Sequence, residues 1–267
     1  MSRLLPCPVC GSDAHAPFSE RGRYPVVACR SCDLHFVNPI PDRDETESTV
    51  SDSAKYTDDQ IAKKAFFERR AHDLFDRLER RRKPGLLLDV GCAIGTQVEV
   101  GLSRGWDCRG LELSRTSYEV ARKAGLPVER QSLEEAGFAD GQFDVITANH
   151  VLEHIPDVVP FITELFRILA RGGLLFFSVP NLQTWWFFLK GDRYGWTFQD
   201  DHFSHFSIRT LPRLLERHGF TILEAETSRW RDFHEPLESH GRAFQTINRW
   251  IERGDLGIEV FCLARKP

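Results

Sequence analysis

The sequence predicts an α/β protein built on a mainly parallel sheet. Two observations carry that reading. Apolar runs of strand length alternate with amphipathic stretches of helical period through most of the chain after residue 60. The first of those runs, Leu86–Val90, ends in a turn that holds Gly91 and Gly95, and Glu112 closes the next run. A buried strand that delivers a side-chain-poor turn to the edge of a parallel sheet, with an acid at the neighbouring strand end, is the layout of a nucleoside-binding site.

Residues 1–40, at the start of the chain, are dense in Cys, Pro, Gly and Arg and show no helical period. Residues 41–60 hold seven acids against Arg43 and Lys55 and read as an acidic linker lying over the next domain. From 61 to 82, Ala65, Phe66, Leu74, Phe75 and Leu78 recur at helical spacing. Arg80, Arg81, Arg82 and Lys83 followed by Pro84-Gly85 form the stop signal. Cations there compensate the helix dipole, which accounts for the basic run without nucleic acid. Strands are then expected at 86–90, 108–113, 127–130, 143–149 and 174–179, with helices at 96–104, after the Ser114 cap, and at 158–170. A helix capped by Ser207, a strand at 220–226, a helix near 242–252 and a strand at 258–264 complete the chain.

Composition narrows the function classes. The 267 residues are 41% hydrophobic and 28% charged, with a formal net charge of -4. That balance gives no global attraction to nucleic acid or to an anionic membrane. The longest apolar stretches run to about ten residues, short of the ~20 that a membrane helix needs. The first eight residues do not read as a secretory signal, so a cytoplasmic protein is expected. The sequence leaves a homodimer open.

The glycine turn leaves two cofactor classes to separate. A dinucleotide turn needs Gly-x-Gly-x-x-Gly to cradle a pyrophosphate. Here Ala93 stands between Gly91 and Gly95, the spacing differs, and Asp89 precedes the turn. A carboxylate there is unfavourable beside a pyrophosphate and favourable beside an amino group or a sulfonium. The stretches 89–95, 110–114, 143–155 and 172–181 resemble, in order, the motifs of class I S-adenosylmethionine-dependent methyltransferases. The resemblance covers roughly residues 61–267. It implies a Rossmann-like seven-stranded sheet whose last strand runs antiparallel. It also implies that Asp89, Gly91 and Gly95 border the methionine part of the cofactor, with Cys92 in the same turn as a further cofactor-binding residue. By the same resemblance Glu112 holds the ribose, Leu113, Ser132 and Leu133 flank the adenine, and Asn149 and His150 close the site near the methyl group. Ala93, where the family often has Gly, and Gln131-Ser132, where an Asp is frequent, are departures.

Four of the seven cysteines form two C-x-x-C knuckles, Cys7/Cys10 and Cys29/Cys32, eighteen residues apart. Four thiolates at this spacing can enclose one tetrahedral Zn²⁺, and a closed site of four cysteines is structural rather than catalytic. Residues 1–40 therefore read as a zinc ribbon, and 29–41 resembles the ribbon found in front of some methyltransferases. Cys92, Cys108 and Cys262 read as small core hydrophobes.

The acceptor side is expected at about 181–207, an aromatic stretch with three of the six Trp, which comes after a strand end and can roof the site. A hydroxyl acceptor needs a general base, and His150, His154, His202 and His205 are the candidates. The expected function is transfer of a methyl group to a small-molecule or glycan-linked acceptor, at oxygen. The rivals are an RNA methyltransferase that grips substrate with its ribbon, a non-catalytic scaffold on the same fold, and an NAD-dependent oxidoreductase, which the glycine spacing disfavours.

Overall fold

The computed structural model describes residues 3–41, 54–193, 199–228, 246, 250–251 and 254–267. The chain opens with three short strands, β1 (His15–Ser19), β2 (Val26–Cys29) and β3 (His35–Val37). Helices α1 (Ala54–Ala62) and α2 (Lys64–Glu79) lead into β4 (Leu86–Val90), α3 (Thr96–Ser103), β5 (Asp107–Leu111), α4 (Arg115–Lys123) and β6 (Val128–Glu129). Then come β7 (Phe143–Asn149), a 3₁₀ turn (Leu152–His154), α5 (Val158–Ile168), β8 (Leu169–Pro180) and α6 (Trp185–Lys190). The chain closes with β9 (Ser204–His205), α7 (Thr210–Arg217), β10 (Thr221–Thr227) and β11 (Glu259–Arg265).

Seven strands form the main sheet in the order β10-β11-β8-β7-β4-β5-β6. Strands β4 to β8 run parallel, and β11 is antiparallel to both of its neighbours. Helices cover both faces, which is why β4 is apolar along its length rather than alternating. Leu87 enters one core with Phe75, Leu78, Val98 and Val145, and Leu88 enters the other with Ile146, Ile162 and Phe177. On α2 the buried residues Ala71, Leu74, Phe75 and Leu78 make the stripe that the sequence period marks.

Three boundaries differ from the sequence reading. The helix expected over 61–82 is two helices, and α1 begins at Ala54, inside the segment read as a linker; residues 42–53 lie outside the described residues. Strand β8 begins at Leu169, where the backbone turns extended (ψ 134°) and ends α5 five residues before the expected strand. The helix expected near 242–252 lies largely outside the described residues.

The N-terminal strands do not stand alone. β3 pairs antiparallel with β9, so a strand from beyond β8 completes a four-stranded sheet, β1-β2-β3-β9. Cys7, Val9, Cys29, Cys32, Leu34 and Phe36 belong to the same buried cluster as Leu88 and Phe177.

Candidate active site

The turn after β4 is shaped by backbone that needs glycine. Gly91 and Gly95 hold φ of +70° and +80°. A Cβ would sit 2.4 Å from Val151 Cγ2 at Gly91 and 2.5 Å from Leu126 Cδ1 at Gly95. Ala93 takes a left-handed φ of +50°, a strain of order 1 kcal/mol for an L-residue. Its N–H donates to Glu112 Oε2 at 2.8 Å, which holds the strained conformation. The Ser114 N–H donates to Glu112 Oε1 at 2.7 Å. The Glu112 carboxylate is thus fixed at the end of β5 by two backbone donors. Leu113 beside it is 45% exposed, an apolar surface offered to the cleft.

Asp89 is buried at the end of β4 and accepts the Thr147 hydroxyl at 2.7 Å. Burial pushes its carboxyl up to about 7; the Thr147 bond opposes this and Glu112 adds to it. Thr147 also accepts from Gln97 (2.6 Å), Gln97 accepts from Asn149 (3.0 Å), and Asn149 accepts the Ser178 hydroxyl (3.0 Å). This chain of polar groups lines the ends of β4, β7 and β8. Cys92 is buried beneath the turn, where a Cβ on Gly110 would come within 2.6 Å of its sulfur. Ser132 and Glu135 bond reciprocally through backbone and side chain. The Leu133 side chain is buried in the core, so only its backbone can border a ligand.

His150 is held on both ring nitrogens. Its Nε2 lies 2.8 Å from Glu259 Oε1 and its Nδ1 3.2 Å from Glu153 Oε1, and both acids are buried. Desolvation alone would lower its pKa, but the two carboxylates outweigh it and the group is raised. Arg70 clamps the same Glu259 at 2.6 and 3.2 Å. Both ring nitrogens of His150 are thus engaged by carboxylates, an arrangement that favours the protonated ring.

The other three histidines group differently. A carboxylate oxygen of Glu153 and one nitrogen each of His154 and His202 lie within 4.8 Å of one another. Glu153 Oε2 is buried without a hydrogen-bond partner, beside these imidazoles. His154 Nδ1 lies 3.0 Å from the Asp201 carbonyl, which as an acceptor fixes that nitrogen as the protonated one. His154 and His202 pack edge to face at 4.8 Å, and His202 and His205 lie 6.5 Å apart. In the aromatic stretch, residues 194–198 and the Trp185 and Trp186 side chains lie outside the described residues.

Three contributors escaped the sequence reading. Tyr56, on α1, is 47% exposed, and desolvation with the carboxylates of Glu112 and Glu153 raises its hydroxyl to about 12. Thr57 is buried beside it and bonds the Thr116 and Ser117 hydroxyls at 2.9 Å each, docking α1 on α4. Arg70 and Glu259 meet across 189 residues. Only the polarity of 54–60 hinted at the first two, and nothing local marked the ion pair.

In the N-terminal segment, the Cys7 and Cys32 sulfurs lie 3.5 Å apart, as do those of Cys10 and Cys29, and all four fall within 4.8 Å of one another. Tetrahedral Zn–S bonds of ~2.3 Å place sulfurs ~3.8 Å apart, so the donor set fits one Zn²⁺.

A parallel sheet with an antiparallel final strand, a glycine turn after its central strand and an acid at the end of the next define the class of S-adenosylmethionine-dependent methyltransferases. The chain belongs to the methyltransferase family: a model described as a methyltransferase domain matches residues 62–225. It is 30% identical over 192 residues to a ubiquinone biosynthesis O-methyltransferase of Methylococcus capsulatus, covering 67% of this chain and 76% of that protein. A protein of the same description from Idiomarina loihiensis is 32% identical over 195 residues, with 68% and 74% covered. A SAM-dependent methyltransferase of Archaeoglobus fulgidus shares the fold at a TM-score of 0.57 and 16% identity, over 77% of this chain and 98% of that one. No helix among the described residues is long and apolar enough to cross a membrane.

Proposed function

We propose that the protein transfers a methyl group from S-adenosylmethionine to a hydroxyl of a small-molecule or glycan-linked acceptor. The observation that carries the cofactor is Glu112, fixed by the Ala93 and Ser114 N–H groups beside the Gly91–Gly95 turn. In this reading Glu112 accepts both ribose hydroxyls, and Leu113 packs on the adenine with Ser132 and the Leu133 backbone at its edge. Gly91, Cys92 and Gly95 let the backbone approach the methionine part. Asp89, near its own midpoint at neutral pH, ionises fully beside the cofactor's positive charge, and Asn149 closes the site. The relatives described as O-methyltransferases support oxygen as the acceptor atom.

Bound S-adenosylmethionine supplies an electrophilic methyl group on a sulfonium. The protein's part is to align the acceptor with it and to take the acceptor's proton. His202 and His154 are placed for the second task, side by side next to the buried Glu153 carboxylate. His205 remains a third candidate, on the far side of His202.

We assign Cys7, Cys10, Cys29 and Cys32 to a structural zinc, the ribbon to residues 1–40 and the methyltransferase domain to 61–267. Calorimetry with S-adenosylhomocysteine tests the cofactor site. Binding is expected in the native protein, weakened by a factor of roughly 10–100 in Glu112→Ala through loss of two charge-assisted hydrogen bonds. Equal affinity in the variant would remove Glu112 from the site.

A further inference from the structure

Segment 199–205 is held from two sides. Towards the ribbon, the Val37 N–H donates to the Phe203 carbonyl (2.8 Å), and His35 and Phe36 pair with His205 and Ser204. Towards the cleft, the Phe203 N–H donates to the Glu153 carbonyl (2.7 Å), in the turn that carries His154. Asp200 reaches back across the gap and accepts the Arg23 N–H at 2.8 Å. Between the two lies a cavity of about 140 Å³, lined by Arg21, Arg23 and Tyr24 from the ribbon and by Asp200, His202 and His205 from the body. His202 lines this cavity and also touches His154, so one imidazole joins the cavity to the candidate base cluster.

We propose that this cavity anchors the acceptor, that the ribbon and the methyltransferase domain share it, and that it takes a planar ring carrying an oxyanion. The proposal rests on the methyltransferase reading above. Its size argues for a ring, since a cavity of about 150 Å³ takes up benzene. Val26 and Val37 give it an apolar floor, and the Tyr24 ring, packed on Phe203 at 5.8 Å, gives it a flat wall. Its charge argues for an oxyanion. Arg21 and Arg23 belong to its lining, the Arg23 guanidinium lying 5.3 Å from the Tyr24 ring centroid, and planar guanidinium forks match carboxylate or phosphate geometry in a bidentate way. The carboxylate in the lining, Asp200, is engaged by the Arg23 backbone.

The consequence is a division of labour between the two ends of the site. Glu112 and the glycine turn are held by contacts within the methyltransferase domain, whereas the acceptor cavity loses one wall if the ribbon loosens. Loss of zinc should therefore uncouple the two ligands.

The test uses the full-length, zinc-loaded protein saturated with S-adenosylhomocysteine and titrated with 4-hydroxybenzoate or, separately, phenyl phosphate. One of the two is expected to bind, and which one identifies the oxyanion as carboxylate or phosphate. Arg23→Ala should weaken that probe at least tenfold, and zinc extraction should abolish it, while S-adenosylhomocysteine affinity stays within twofold. Arg23 is exposed, so the variant keeps its fold, and an unchanged zinc content verifies this. The proposal is overturned if neither probe binds, or if binding is unchanged in Arg23→Ala or in the zinc-free protein. Failure of S-adenosylhomocysteine to bind the zinc-loaded protein would overturn the methyltransferase reading instead.

Discussion

Asp89 costs the fold stability and gains its value from a ligand. Its folded pKa, about 7, stands above the ordinary 3.8, so the native state prefers the proton. The group therefore costs nothing below about pH 4, and the cost grows as pH rises and is complete above about pH 7. A shift of this size corresponds to at most about 4 kcal/mol. Asp89→Asn is expected to raise the melting temperature at pH 8, to leave it unchanged at pH 4, and to weaken S-adenosylhomocysteine binding. A variant that melts like the native protein at both pH values would show that the burial carries no penalty. His150 works the other way. His150→Ala leaves Glu153 without its imidazolium partner and Glu259 with Arg70 alone, both acids buried, and is expected to cost about 3–5 kcal/mol in denaturant unfolding. The difference in legibility has a physical cause. Gly91, Gly95 and Glu112 stand within one βαβ unit, where strand ends and turn geometry dictate residue type. The charge state of His150 depends on Glu259, 109 residues away across β8 and β11, and no local pattern encodes it.

At the scale of elements, the strand and helix pattern from β4 to β8 was readable because each piece buries an apolar stripe of its own period. Helix α1 was not. Its stretch is polar and half-exposed, and it is helical because Thr57 anchors it to α4 through two hydroxyls. Thr57→Val removes both bonds while keeping the shape. It should raise the dissociation constant for S-adenosylhomocysteine severalfold by loosening α1 from α4, the helix that follows Glu112, with little change in global unfolding. An unchanged dissociation constant would make α1 a bystander. The basic run after α2 is absorbed by neighbours: Arg82 bonds the Asp144 carboxylate at 2.6 Å and Arg81 pairs with Glu224. That agrees with a stop signal on a folded body. The glycine turn is less forgiving. Gly91→Ala forces a Cβ to 2.4 Å from Val151 at a positive φ, and a loss of roughly 1–3 kcal/mol in unfolding stability is expected.

For the whole molecule, the ribbon and the methyltransferase domain share a core and a sheet, so zinc is expected to stabilise both. Metal analysis should find about one zinc per chain, and Cys29→Ser should release it. Chelation should loosen the ribbon and also lower the melting temperature of the methyltransferase domain, which it packs against. Two resolved transitions would show that the domains fold independently. The Cys spacing announced the ribbon but not its attachment, because two residues of strand, Ser204 and His205, carry no periodic signal. That pairing also sets an order of assembly. β3 leaves the ribosome about 170 residues before β9, the strand that covers its open edge. Until β9 arrives, the nascent ribbon exposes an unpaired strand edge, a template for wrong partners. A chain that stops short of β9 leaves that edge bare, so the first strands to be made are completed by one of the last.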